Sequence, residues 1–577
     1  MLCIKDHRQN TLFDPWDYLS PKRRQILDES WAGLFRDHIL PFLPVEHISP
    51  FFTAGFGRPT KELHTVLGTL ILQQAYDLTD IEAVSQLCFN IQWHYALNIT
   101  EESDSAKYMC PKTLWNMRTA VIENGLDSVL FETVTDTLIR IFEVNTDSQR
   151  LDSVHIKSNM RRLGRIGIFT RCLQTFLTNL KRKYPHQFDI IDHQITEKYL
   201  SEKQMKCFSL IKPSESQKTL TAVSTDIFDL VQMFSGCPEV CAMYTYKQLE
   251  RVLNEQCRVV ETEGEKRAEV RKPKEIPSDS LQNPSDPDAS YSGHKGQGYQ
   301  VQVMETYSRE EDSEKKALNL ITYVHVEPAH KSDADALMPA VEAAQKRDAG
   351  PKTVLADTLY GGDGNCQAAA EAGVEVVAPA AGKETDGLSL TDFGLSGDGT
   401  VLTCPAGHTP VRTAKRESRY TAAFDSQCCA ACPHLEKCPA KPGKRHYYLR
   451  YTEKEIRTAR RRAYQKTDEF TERYRWRAGV EGTMSQYDRK TGVKKLRVRG
   501  LKNVSFCAVV KAAAINIFRA AAYTAAAAGF GRSLLYFCAV FFSEMHIFRF
   551  LKQVKRIFHA KNRILKREPI FLKKHAF

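Results

Sequence analysis

The first 150 residues carry the pattern of several short amphipathic helices in a row. Thr79 with Glu82 forms a capping box opening IEAVSQLCFNI, and Thr60 is placed to cap ELHTVLGTLILQQAYDL. Pro111 suits the first turn of a helix carrying Leu114, Met117, Val121 and Ile122. From Arg150 the pattern changes. RLDSVHI reads as a strand, followed at about 160–290 by basic helices and a charged, Pro- and Ser-containing linker, EGEKRAEVRKPKEIPSDSLQNPSDPDAS. Strand alternation resumes in GYQVQVMETY, where Tyr299, Val301 and Val303 share a face, and again in LNLITYVHV. Ser332 caps a helix with Asp333 and Asp335 in its first turn, and Gly350 ends it. TVLAD is then a strand, QAAAEAG a short helix and VEVVAP another strand. With the inserts set aside, this order predicts an α/β fold, a mixed sheet with helices packed on it.

Composition adds a partner. The 577 residues hold 81 Lys and Arg against 69 Asp and Glu, a net charge of +12. The excess is clustered, in Lys490, Lys494, Lys495, Arg497, Arg499 and Lys502, and again from Met545 onwards. Clustered cations favour a polyanion, nucleic acid before a membrane surface. The opening MLCIKDHRQN lacks a basic-then-apolar leader, so export is not expected. Cys507–Gly529 is interrupted by Lys511, Asn516 and Arg519, and Ser533–Phe542 is short, so neither is expected to span a bilayer. Sixteen cysteines are then expected to be reduced or metal-bound.

The densest chemistry lies in Thr471–Gly500. Nothing from Asp468 to Val480 breaks a helix except one tolerated Gly, and Tyr474, Arg477 and Glu481 fall on one face of it. Asp152 in RLDSVHI and Asp357 in TVLADTLYGG sit at the ends of apolar strands. Two strand-end aspartates and a helical glutamate offer the oxygen ligands that hard divalent cations prefer. A second cluster follows Asp357. Cys429 and Cys432 have the spacing of a zinc knuckle, which Cys404 and Cys438 can complete, with His408 and His434 as competing ligands.

These residues resemble a family. Tyr474-x-x-Arg477-x-x-x-Glu481 looks like the signature around the third acid of DDE-type transposases from bacterial insertion sequences, and Asp152 and Asp357 match the settings of the first two. GRPTKELHTVLGTLILQQAYDLTD resembles their helical N-terminal domain, and the cysteine-rich segment resembles that of their zinc-ribbon-like branch. Where the signature often has Lys, this chain has Asp488, with Arg489 and Lys490 adjacent.

The resemblance implies a ribonuclease-H-like mixed sheet. A helical N-terminal domain would span 1–149, and the first part of the catalytic core 150–383, with a helical and linker insert at about 160–295. A cysteine-rich insert would follow at 384–460, the rest of the core at 461–525 and an apolar, basic tail at 526–577. It implies metal-dependent DNA cleavage and strand transfer at element ends. Asp152, Asp357 and Glu481 would be catalytic and hold two Mg²⁺ or Mn²⁺ ions; Cys404, Cys429, Cys432 and Cys438 would hold Zn²⁺. Tyr474, Arg477, Lys490, Lys494, Lys495, Arg497 and Arg499 would contact DNA. The expected partners are double-stranded DNA and a second copy on that DNA, without a membrane, in a cytoplasmic, nucleoid-associated protein. The alternatives are a non-catalytic DNA-binding product of a degenerate element, or a nuclease of this fold without strand transfer.

Overall fold

The computed structural model describes residues 2–9, 14–52, 55, 57, 59–202, 208, 211–262, 265–309, 317–382 and 387–541, with backbone only for residue 262 and for 528–541. The basic stretch from Met545 lies outside the described residues, and the apolar Ser533–Phe542 is described only as backbone, to Phe541.

Four helices matter most for the site: α1 (Leu63–Ala75), α2 (Leu126–Phe142), α3 (Gly479–Thr491) and α4 (Leu501–Phe541). The strands are β1 (Ser148–Lys157), β2 (Cys257–Thr262), β3 (Glu265–Val270), β4 (Ser290–Ser292), β5 (Gly296–Thr306), β6 (Ile321–Pro328), β7 (Thr353–Leu355) and β8 (Glu375–Val377). The main sheet runs β4-β5-β1-β7-β8, with β6 also paired to β5. β1, β5 and β6 are antiparallel neighbours, whereas β7 and β8 extend the sheet in parallel from β1. This is the mixed α/β sheet expected from the element order, and it is consistent with the ribonuclease-H-like fold that the resemblance implies.

Several local expectations need correction. The N-cap of α1 is Glu62, whose carboxylate accepts from the amides of His64 and Thr65; Thr60 instead accepts from the amide of Cys3. The reason is reach, since a cap must lie next to the first turn. The helix after Ser332 ends at Gln345, before Gly350, and Asp348 takes the left-handed conformation (φ 55°). The charged linker is structured in part, because β2 and β3 pair along six residues as a hairpin. Asp152 lies in the middle of β1 rather than at its end. The helix thought continuous from Asp468 breaks into Asp468–Tyr474, a 3-10 turn Arg475–Ala478, and α3. The Thr79–Glu82 capping box and Pro111 in the first turn of its helix are present.

Alternation along β1 divides the core. Val154 and Ile156 join Val301 and Val303 beneath the N-terminal helices, α3 and α4, while Leu151 and Met304 face Leu337 and Ala340 on the other side. The insert after β1 has its own core of Phe169, Phe176, Phe234 and Tyr246.

Residues Leu501–Ala527 are long and apolar enough to cross a membrane, yet 78% of the most apolar stretch is buried inside this fold. Its three polar interruptions are anchoring points. Lys511 is fully buried and donates to Asp77 Oδ1 at 2.8 Å and to the carbonyls of Gln74 and Thr491. Asn516 pairs with the backbone of Ile321 through both amide atoms, at 2.8 and 2.7 Å. Arg519 reaches Glu305 Oε2 at 2.8 Å. Each buried polar group is satisfied, as burial requires.

Candidate active site and cysteine cluster

Parallel pairing sets Arg150 opposite Leu355. Asp152 lies two residues beyond that pair on β1 and Asp357 two residues beyond it, just past the end of β7, so the paired strands deliver both to the same end of the sheet. Asp357 Oδ1 accepts from the amide of Leu359 at 2.7 Å, an Asx turn that fixes the carboxylate just past β7. α3 brings Glu481 over the same face. Arg477 joins them: Nη2 donates to Asp152 Oδ2 at 2.7 Å, and Nη1 lies 3.6 Å from Glu481 Oε1. Glu481 is 73% exposed, so the cluster is open on that side.

Burial pushes the Asp152 carboxyl above its ordinary range; Arg477 opposes the shift, and Asp357 and Asp333 add to it. The phenol of Tyr474, stacked on Phe470 at 5.1 Å, is likewise raised by burial against the opposing charge of Arg477, with Asp357 and Asp152 adding to the rise. Asp152, Asp357, Arg477 and Tyr474 therefore share one electrostatic environment, and Glu481 joins it through Arg477.

Other residues here carried no recognisable sequence signal. Glu305 is fully buried directly across from Arg150, whose Nε donates to it at 2.7 Å. Thr483 on α3 and Arg519 on α4 donate to the same carboxylate. Arg150 also donates to the carbonyl of Trp476 at 2.8 Å, fixing the turn before α3. Gly479 makes room for this, because a Cβ there would fall 2.0 Å from Arg150 Nη1. On the opposite face, Lys295 donates to Asp333 at 2.8 Å and to Ser153 at 2.9 Å. Tyr360 donates to Gln302, which donates to Asp333. The one available clue was Asp333, which its place in a helix's first turn explained equally well.

The basic residues after Glu481 divide. Lys490 and Lys495 are exposed. Arg497 lies 3.3 Å from Asp77 and 3.8 Å from Glu82, Lys494 3.8 Å from Asp488, and Arg499 donates to Asn159.

Cys404, Cys429, Cys432 and Cys438 line one cleft, together with His408 and His434. The Cys429 thiol is pushed up to about 11, by burial first and then by the neighbouring Cys438, Cys404 and Cys432. A turn at Gly407 (φ 82°) folds Cys404 back on His408, its amide donating to the His408 carbonyl at 2.9 Å. Among the described residues, a set of three potential ligand atoms mutually within 4.8 Å is formed by His7, Glu62 and His64, and not by these cysteines or the acid triad.

Residues 403–521 match the family described as Transposase DDE domain, and residues 27–120 match the Transposase domain (DUF772). The first match contains Tyr474, Arg477, Glu481 and the four cysteines but begins after Asp152 and Asp357. No curated protein and no solved structure matched the chain. The two family matches support a DDE-type transposase of an insertion sequence.

Proposed function

We propose that this transposase cuts DNA at the ends of its element and joins those ends to a target, using Asp152, Asp357 and Glu481. The observation that carries this reading is the bridge from Asp152 on β1 to Glu481 on α3 through one guanidinium, with Asp357, just past the neighbouring strand β7, in the same field. Three oxygen donors around a partly buried anionic centre fit hard divalent ions. Two such ions held there would activate the attacking oxygen and stabilise the leaving one in an in-line displacement.

The chain's own residues do the rest. Arg477 neutralises Asp152, and its planar fork also suits a phosphate. Glu481, exposed on α3, admits a backbone to the site, and Lys490 and Lys495 extend the positive surface beyond it. The reading includes two copies acting together on DNA in the cytoplasm. The cysteine cleft would hold zinc through Cys404, Cys429, Cys432 and Cys438, whose crowded thiols gain most from a cation that favours their deprotonated form.

The test is strand cleavage and joining on duplexes carrying the element's ends, with Mg²⁺, Mn²⁺ or chelator. Metal-dependent cleavage abolished by Glu481→Gln is expected. Wild-type protein that binds these ends and never cuts them would instead favour a DNA-binding role. Zinc quantification on the Cys429→Ser, Cys432→Ser variant tests the cysteine cleft, and an unchanged zinc content would remove that assignment.

A further inference from the structure

His7 and the start of α1 are brought together by one backbone–backbone hydrogen bond and two from backbone amides to side chains. The amide of Cys3 donates to Thr60 Oγ1 at 2.9 Å, and the amide of Leu63 to the Cys3 carbonyl at 3.1 Å. The amide of Lys5 then donates to Glu62 Oε1 at 3.2 Å. The chain so aligned puts His7 against Glu62 and His64, with side-chain exposures of 4%, 10% and 7%. His64 Nδ1 lies 3.0 Å from Glu62 Oε1, and the two imidazoles meet edge to face with centroids 4.9 Å apart.

Helix capping explains Glu62, and a hydrogen bond to Glu62 explains His64. Neither explains His7. Its Nε2 is buried without a hydrogen bond, and its nearest partner, Glu62 Oε2 at 3.6 Å, is beyond hydrogen-bond reach and within ion-pair reach only when the ring is protonated. Buried polar atoms are seldom left this way unless something else satisfies them. One potential ligand atom from each of the three residues lies within 4.8 Å of the others. A cleft lined by Lys5, His7, Glu62 and Thr65 opens beside them.

We propose that His7, Glu62 and His64 bind one divalent transition-metal ion of the zinc class, with a fourth position left to water. Two imidazoles and one carboxylate match the borderline nitrogen and oxygen donors such ions take, whereas Mg²⁺ prefers oxygen throughout. The ion clips the N-terminal segment, which has no regular secondary structure at residues 2–6, onto the first turn of α1. It satisfies the orphan nitrogen of His7 and leaves the amide bonds to Glu62 in place. The proposal is independent of the acid triad.

The experiment uses the full-length chain carrying Cys429→Ser and Cys432→Ser, which takes thiolate zinc out of the measurement. The protein is stripped with chelator, reloaded with Zn²⁺ or Co²⁺, desalted and analysed by mass spectrometry and visible absorption. About one equivalent is expected, the cobalt form showing weak visible bands without a thiolate charge-transfer band. His7→Gln and, separately, His64→Gln should weaken binding by about tenfold or more. Circular dichroism and a thermal melt check that both His variants remain folded. Absence of bound metal in this background, or retention undiminished in both His variants, would overturn the site.

Discussion

Arg477 and Asp152 are 325 positions apart in sequence and share a 2.7 Å ion pair, with Glu481 on the other side of the same guanidinium. The side chains of Arg477 and Asp152 are 19% and 18% exposed, so neither charge is fully screened by water. Arg477→Gln should leave Asp152 facing Asp357 without compensation and cost about 1–3 kcal/mol in urea unfolding of chelated protein. Excess Mg²⁺ should reduce that loss by supplying the missing positive charge. A loss of the same size with and without Mg²⁺ would separate Arg477 from the metal-binding carboxylates.

The raised carboxyl of Asp152 gives a signed pH dependence. Its folded form holds a proton to higher pH than the unfolded chain does, so the stability it contributes is fully present below the ordinary Asp value of about 4. That contribution is lost as pH rises through the raised folded value, and the curve is flat beyond it. Chelated Asp152→Asn should therefore melt higher than wild type above this window, by on the order of 1 °C, and the gap should close at lower pH. Thermal melts from acid to neutral pH check this; a gap independent of pH would contradict it.

Glu305 is the carboxylate on which three elements converge: Arg150 from β1, Thr483 from α3 and Arg519 from α4. Replacing it with Leu leaves two largely buried arginines unpaired, a loss of about 3–5 kcal/mol. Denaturant unfolding should show it, and a cost under about 1 kcal/mol would mean the arginines re-pair elsewhere.

The sheet was legible because its strands carry simple signals: alternation in β5, a short apolar run in β7, and turn residues between them. Lys511, Asn516 and Arg519 marked α4 as unsuited to lipid, but their partners Asp77, Ile321 and Glu305 come from distant segments that no local pattern connects. The same limit hid Arg150 and Glu305, which look like ordinary strand polar residues until β1 and β5 are paired. Gly479 reads as a tolerated helix glycine; its reason, the passage of Arg150, exists only in three dimensions.

The basic surface can be divided experimentally. Lys490 and Lys495 are exposed, whereas Arg497 is engaged with Asp77 and Glu82. Removing a cation that neutralises one DNA phosphate should flatten the slope of log affinity against log salt by about 0.9. Lys490→Ala with Lys495→Ala should therefore flatten it by roughly 1–2, and Arg497→Ala by less. Fluorescence anisotropy across a salt series decides. A larger effect from Arg497→Ala would show that it leaves its acidic partners to meet DNA.

Asp357→Asn is the sharpest test of the proposed chemistry, because the local fold survives it. The Asn side-chain oxygen can still accept from the amide of Leu359, as Asp357 Oδ1 does at 2.7 Å, so the Asx turn beyond β7 stays formed. What disappears is the negative charge, the property a divalent ion needs from this ligand. End-containing duplexes should bind about as well as to wild type, while cleavage falls by about a hundredfold or more. Mn²⁺ should restore more activity than Mg²⁺, since it accepts poorer ligands. Asp333→Asn is the control, because that acid is held by Lys295 and Gln302 on the opposite face of the sheet and its loss should reduce stability more than chemistry. Cleavage that survives Asp357→Asn but not Asp333→Asn, in equally folded proteins, would move the reaction to the other side of β1.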